Sequence, residues 1–221
     1  MKRKYTKEDI DFLIDTLEKM YPDAHCELNY NTTFELLVAV ILSAQCTDKR
    51  VNQVTDVLFK DYSTVEQFAN IDAKVLEKYI FSCGFYKNKT KSIIACAKEV
   101  LTKYNGQVPN TIEELVKLPG VGRKTANVVY AEAFKGNAIA VDTHVKRVSN
   151  RLGLAKSDNP EKVEMTLRKL IPQEKWTRLH HLFIFFGRYT CHSQNPDCQN
   201  CKLTNYCIEN NKRKVNIWIR L

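Results

Sequence analysis

Leu118-Pro119-Gly120-Val121-Gly122-Arg123-Lys124-Thr125-Ala126 sets two glycines two apart, with a proline before them and a basic pair behind. A short helix is expected on each side. Thr111-Ile112-Glu113-Glu114 caps the first, which stops at Leu118-Pro119-Gly120, and the second runs from after Gly122 to about Phe134. Between two helices the paired glycines permit a tight hairpin with positive φ. Lacking side chains, they also let backbone N–H groups approach a phosphate where a helix dipole favours an anion. An ordinary helix–helix turn is the plain alternative, but one glycine would serve it. The spacing fits neither a P-loop nor a dinucleotide fingerprint.

Helical periodicity continues on both sides of this segment. Thr6 can cap a helix carrying Ile10, Leu13, Ile14 and Leu17, and Phe34 to Ala44 is apolar nearly all round, as a core helix is. Asp48 opens the next, Ser63-Thr64-Val65-Glu66 reads as a capping box, and Asp72 starts a short helix with Leu76 and Ile80. Ile93, Ala97 and Val100 mark another. Further helices are expected near Asp142, Pro160 and Gln173, with Gly153 and Gly187 as C-terminal stops. Only Ala138 to Val141 is a candidate strand. With 7 glycines and 6 prolines in 221 residues the chain has too few turn residues for a β-sandwich or barrel. The expected class is all-α, with roughly ten helices.

A net charge of +9 points to a polyanionic partner. Apolar runs are too short to span a bilayer, and the basic N-terminus has no apolar stretch behind it, so membrane and export readings are not expected. Cys26, Cys46, Cys83 and Cys96 are scattered through apolar surroundings and read as buried free thiols.

Three further groups carry chemistry. Lys124 follows the hairpin beside Arg123; a positive local field disfavours its ammonium form, and a neutral amine forms Schiff bases. A phosphate-contacting cation is the alternative. In Val141-Asp142-Thr143-His144, Asp142 is either a helix cap or a carboxylate that steadies a developing cation. Cys191, Cys198, Cys201 and Cys207, spaced 6-2-5, read as a metal site. Spacing alone leaves zinc and iron–sulfur both open.

Together and in this order, these groups resemble the endonuclease III family of DNA glycosylases. The hairpin LPGVGRKTAN at 118–127, VDTH at 141–144, the 6-2-5 cysteines led by Gly187-Arg188-Tyr189-Thr190, and Leu42-Ser43-Ala44-Gln45-Cys46-Thr47-Asp48 all match; the likeness covers roughly residues 8–207. The resemblance implies a two-lobed helix-hairpin-helix glycosylase fold. A six-helix barrel lobe would span 26–135, with the helix-hairpin-helix at about 111–134. Residues 1–25 and 136–221 would form the other lobe and hold a 4Fe–4S cluster in loop 191–207 on Cys191, Cys198, Cys201 and Cys207. Lys124 would be the nucleophile and Asp142 its electrostatic and acid–base partner, facing each other across the cleft between lobes. Gln45, Thr47, Phe85, Gly120, Val121, Gly122, Arg123, His144 and Lys202 would contact DNA, with Gln45 filling the gap left by a flipped nucleotide. The implied activity is removal of oxidised pyrimidines, of the thymine glycol type, from damaged duplex DNA, then strand cleavage by β-elimination. A monomer in the cytoplasm, at the nucleoid, is expected.

Phe85 departs from the leucine expected at the wedge position, a change that keeps it apolar. Residues 212–221 run past the family's usual end; their Lys212-Arg213-Lys214 is either a solvated charge run or a phosphate contact. A monofunctional mismatch glycosylase on the same scaffold would lack Lys124 and carry an extra domain. A non-catalytic DNA-binding module would not need Lys124 and Asp142 together.

Overall fold

The structure, a computed structural model, describes residues 5–210. The Lys212-Arg213-Lys214 run lies outside the described residues. Within them the chain is all-helical: α1 (Lys7–Met20), α2 (Thr33–Leu42), α3 (Asp48–Asp61), α4 (Val65–Asn70), α5 (Ala73–Ile80), α6 (Tyr86–Lys103), α7 (Ile112–Leu115), α8 (Arg123–Ala133), α9 (Thr143–Leu152), α10 (Pro160–Leu170) and α11 (Trp176–Tyr189). Short 3-10 turns occupy Phe81–Cys83, Gln173–Lys175 and Thr204–Tyr206. No helix among the described residues is long and apolar enough to cross a membrane. The chain divides into two compact units, Cys26–Gly136 and the combination of Met1–His25 with Asn137–Leu221.

In the unit Cys26–Gly136, α2 is the core. Leu36, Leu37, Ala39 and Leu42 have no exposed surface, and α3, α6 and α8 pack around the helix. Its only charged residue, Glu35, is buried because it is used at the cap: Thr32 Oγ1 accepts from Glu35 N at 3.1 Å, and the carboxylate accepts from Asn31 N at 2.6 Å. The box before α4 sits one residue later than Ser63–Glu66. Thr64 Oγ1 accepts from Gln67 N, and Gln67 Oε1 accepts from Thr64 N at 3.1 Å, a register that delivers Phe68 and Ala69 to the core. Cys83 and Cys96 are buried free thiols as expected, but Cys26 and Cys46 are only half-buried.

In the second unit, α11 packs on α9 and α1, and α10 on α9. Arg178 of α11 grips α1 through a two-pronged contact to Glu18, at 2.8 and 2.6 Å, and also donates to the carbonyl of Pro22. Thr6 caps α1 in a reciprocal box with Asp9. Gly153 ends α9 at φ +82, with Leu154 N donating to Ser149 O and Gly153 N to Asn150 O, a Schellman arrangement. Near Gln173 the chain makes only one 3-10 turn before α11 starts at Trp176. Gly187 is not a stop: it lies inside α11, where a Cβ would fall 2.9 Å from His144 Cβ and 3.2 Å from Arg147 Nη2 of α9. Ala138 to Val141 is buried but forms no strand, and Ala138 N instead donates to Thr177 Oγ1.

Candidate functional site

The hairpin is built by Pro119 and Gly120. Val121 N donates to Leu118 O at 3.1 Å, and Gly120 has φ +77, the third-position conformation of a type II turn with proline ahead of it. A Cβ on Gly120 would also strike Ser92 Cβ at 2.5 Å, so α6 fixes the turn from behind. Leu118 and Val121 are buried anchors. Gly122 differs from expectation in having an ordinary extended backbone, φ −86. Nothing lies within 4 Å of its Cβ position, so packing within the chain does not require glycine there, and no side chain caps α8. Bare amides at a helix start are thus presented outward, flanked by half-buried Arg123 and exposed Lys124.

Among the exposed non-glycine residues of this unit in the left-handed region, where such residues are uncommon, are Gln45 at φ 55 and Phe85 at φ 48, alongside Asn105 and Lys135. Gln45 is third in a turn closed by Cys46 N donating to Ser43 O, and Phe85 forms the N-cap of α6. Thr47 caps α3, its Oγ1 accepting from Arg50 N. Lys89 was not singled out by the sequence, where it sits in a polar run. Its buried ammonium donates to Leu42 O at 2.9 Å and Cys83 O at 2.7 Å, pinning the approaches to both turns. Burial pulls its pKa below the ordinary lysine value.

Asp142 belongs to the other unit, at the start of α9. Oδ1 accepts from Val145 N at 2.8 Å and Oδ2 pairs with His144 Nδ1 at 2.9 Å. Burial alone would raise its pKa; the bonds from His144 and Val145, with the charges of His144 and His180, outweigh that and hold it below the ordinary aspartate value. Asp142 is therefore a carboxylate at neutral pH.

Cys191, Cys198, Cys201 and Cys207 are brought together on the wall of one small pocket, beside Arg151 and Phe186. Among the described residues no three His, Cys, Asp or Glu side chains already close on a single-ion position. Two arginines one turn apart on α9 hold the loop. Arg147 donates to Cys191 O and Gly187 O at 3.0 and 2.8 Å; Arg151 donates to His192 O at 2.6 Å and reaches Cys191 Sγ at 3.4 Å. Asn210 N points at Cys207 Sγ at 3.4 Å. Burial pushes the Cys201 and Cys207 thiols up, and backbone N–H groups partly offset it. Lys202 is exposed on this loop. The two arginines were missed in the sequence; their i, i+4 spacing behind VDTH was the available signal.

Residues 38–173, more than half of the chain, match the family model described as HhH-GPD superfamily base excision DNA repair protein, which sets the class. Endonuclease III of Bacillus subtilis (strain 168) is 49% identical over 207 residues, covering 93% of this chain and 94% of that protein. Endonuclease III of Escherichia coli (strain K12) is 41% identical over 205 residues, covering 93% and 96%. A solved structure of a trapped endonuclease III–DNA covalent intermediate, an estranged-adenine complex, superposes with a TM-score of 0.91 at 51% identity, covering 96% of this chain and 100% of that one. The chain belongs to the endonuclease III family of base-excision DNA glycosylases and lyases.

Proposed function

We propose that this chain removes oxidised pyrimidines, thymine glycol among them, from damaged duplex DNA and then cleaves the strand, acting as a monomer in the cytoplasm, at the nucleoid. The observation that carries the reading is Lys124, exposed in the first turn of a helix whose uncapped amides follow a phosphate-type hairpin. The likeness to a trapped covalent protein–DNA intermediate supports it.

The target glycosidic carbon is unreachable inside the stack, so the nucleotide must be flipped out. Gln45 and Phe85, exposed on turns of fixed and unusual backbone, are suited to fill and wedge the gap. Gly120, Val121, Gly122 and Arg123 hold backbone phosphate, with Thr47, His144 and Lys202 as further contacts. The Lys124 amine, in its neutral form, attacks the sugar carbon bearing the base. The C–N bond to the base breaks as the new C–N bond forms, and the electron pair leaves with the base. Asp142, ionised, steadies positive charge as it builds on the sugar. The ring C–O bond at that carbon then breaks, its oxygen taking up a proton as the amine lone pair forms the Schiff base, whose acidified neighbouring C–H is removed so that the 3′ phosphate departs by β-elimination.

The four loop cysteines are proposed to hold a 4Fe–4S cluster. They offer four soft thiolate donors around one cavity, with N–H groups of Arg151 and Asn210 already directed at sulfur. Such a group supplies cross-linking of the 191–207 loop and takes no part in base excision. Iron and acid-labile sulfide in anaerobically prepared protein test this; zinc alone would overturn it.

The nucleophile is tested by borohydride trapping on a damaged duplex. Lys124→Gln should still bind the duplex and give no trapped adduct. Undiminished trapping would move the nucleophile to another residue.

A further inference from the structure

Lys89, on α6, is 6% exposed, and the proposed reaction gives it no part. An ammonium is unfavourable to bury unless its N–H groups are taken up. A methionine of similar length would fill the same space without that penalty. What the charge reaches is two main-chain carbonyls from distant parts of the unit. One is Leu42 O, 47 positions away, at 2.9 Å; the other is Cys83 O at 2.7 Å.

Both carbonyls end an element. Leu42 is the last residue of α2, and Cys46 N, which a continuing helix would direct at Leu42 O, bonds Ser43 O instead at 3.1 Å. A cation there also meets the negative end of the helix dipole. Cys83 closes the 3-10 turn Phe81–Cys83. Just beyond each carbonyl the backbone turns to positive φ: Gln45 at 55 after Leu42, and Gly84 at 67 and Phe85 at 48 after Cys83. Such conformations persist only where the surroundings over-determine them. Lys89 restrains the second turn from both ends, since its own N–H donates to Phe85 O at 3.1 Å while its ammonium holds Cys83 O. Packing adds no restraint at Gly84, where nothing lies within 4 Å of a Cβ position.

We propose that Lys89 is a positioning residue for lesion recognition: its ammonium locks the Gln45 turn to the Phe85 turn, so that the gap-filling and wedging side chains enter the duplex as one preformed unit. The lock itself stands on the hydrogen bonds; its use on DNA rests on the proposed function. Turns held in advance lose little further freedom when they enter the stack, so the binding energy of the duplex is left for extruding the nucleotide. Lys89, being buried, acts only through the turns.

Lys89→Met keeps the stem and removes the donors. In the full-length holoprotein, single-turnover excision of thymine glycol should fall about tenfold, within the range that a small misplacement remote from the chemistry produces. Affinity for undamaged duplex and its salt slope should be unchanged, because no phosphate contact is touched. Cleavage at a preformed abasic site, which has no base to unstack, should stay within about twofold. The deciding readout combines Lys89 with the turns. In the Lys89→Met background, Gln45→Ala and Phe85→Ala should add almost nothing to the loss, since the side chains they remove are already displaced. Full additivity would overturn the proposal and leave Lys89 as a stabilising group alone. Amide hydrogen exchange over residues 43–48 and 82–87 should quicken together in Lys89→Met, and quickening in one turn alone would equally overturn it. Where Lys89→Met does not fold, Gly84→Ala takes its place, straining one turn at φ 67 without touching Lys89. Residues 43–48 should then exchange faster although the substitution lies in the other turn; unchanged exchange there would overturn the lock. If Gln45→Ala and Phe85→Ala leave excision unchanged in protein that keeps Lys89, the DNA reading of these turns fails, and the exchange measurement still reports on the lock.

Discussion

Asp142 caps a helix with the same carboxylate that the proposed reaction would use. One oxygen caps α9 through Val145 N; the other pairs with His144. Because its folded pKa is depressed, the ionised group contributes stability above the unfolded aspartate value, and that contribution is lost as pH falls through the lower, folded value. Asp142→Asn keeps an oxygen for the cap but loses the charge. Turnover per folded molecule should fall by about 10²-fold, the scale of one removed charge-stabilising group, with duplex affinity little changed. The stability gap between the two proteins, read by denaturant titration, should close as pH is lowered into that window. If only stability changes and turnover does not, capping is the whole role of Asp142. VDTH was legible as a motif that left capping and catalysis open. The ionisation that favours the electrostatic role comes first from the His144 and Val145 bonds, both local to the motif, with only a smaller contribution from His180 of α11, which no local pattern attaches to Asp142.

Elements were readable wherever local chemistry alone places their ends. Thr6, Asp72, Thr111 and Asn159 cap helices through their own side chains, and the apolar run of α2 could only be a core helix. Errors came where a distant element decides. Gly187 looked like a helix stop because glycine commonly ends helices, yet its conformation is helical and its glycine identity answers to α9. Lys89 carries no local signal, because burial by two turns is invisible in a polar run. The hairpin was only half legible: Gly120 is a turn glycine, whereas Gly122 is a glycine of open space. Gly187→Ala puts a methyl against His144 Cβ and Arg147, so it should destabilise the α9–α11 contact by about 1–3 kcal/mol, the usual overpacking scale. Because Arg147 also holds the cysteine loop, occupancy of the proposed cluster should drop with it. An unchanged denaturation midpoint would show that the two helices separate freely at this point.

At the scale of the whole molecule, scarcity of glycine and proline already favoured an all-α fold, and the order of motifs carried the family resemblance. Charge also sets how the molecule should meet DNA before any lesion is found. The proposed phosphate contacts, the bare amides at α8 with Arg123 and exposed Lys202, would carry no base readout. Binding to undamaged duplex should then be driven by counterion release, and log affinity should fall linearly with log salt at about −0.9 per phosphate neutralised. Replacing Lys202 with Ala should reduce that slope by about one unit if it covers one phosphate, at equal cost on damaged and undamaged duplex. Phe85→Ala should behave oppositely. It removes the uncharged side chain proposed as a wedge, so the salt slope should stay the same while the preference for a lesion duplex over an undamaged one narrows. Titrations of both duplexes across a salt series measure the two quantities in one experiment. A flat salt response in the unmutated protein would contradict the phosphate-led encounter, and a Phe85→Ala protein with changed slope but full lesion preference would place Phe85 outside the groove.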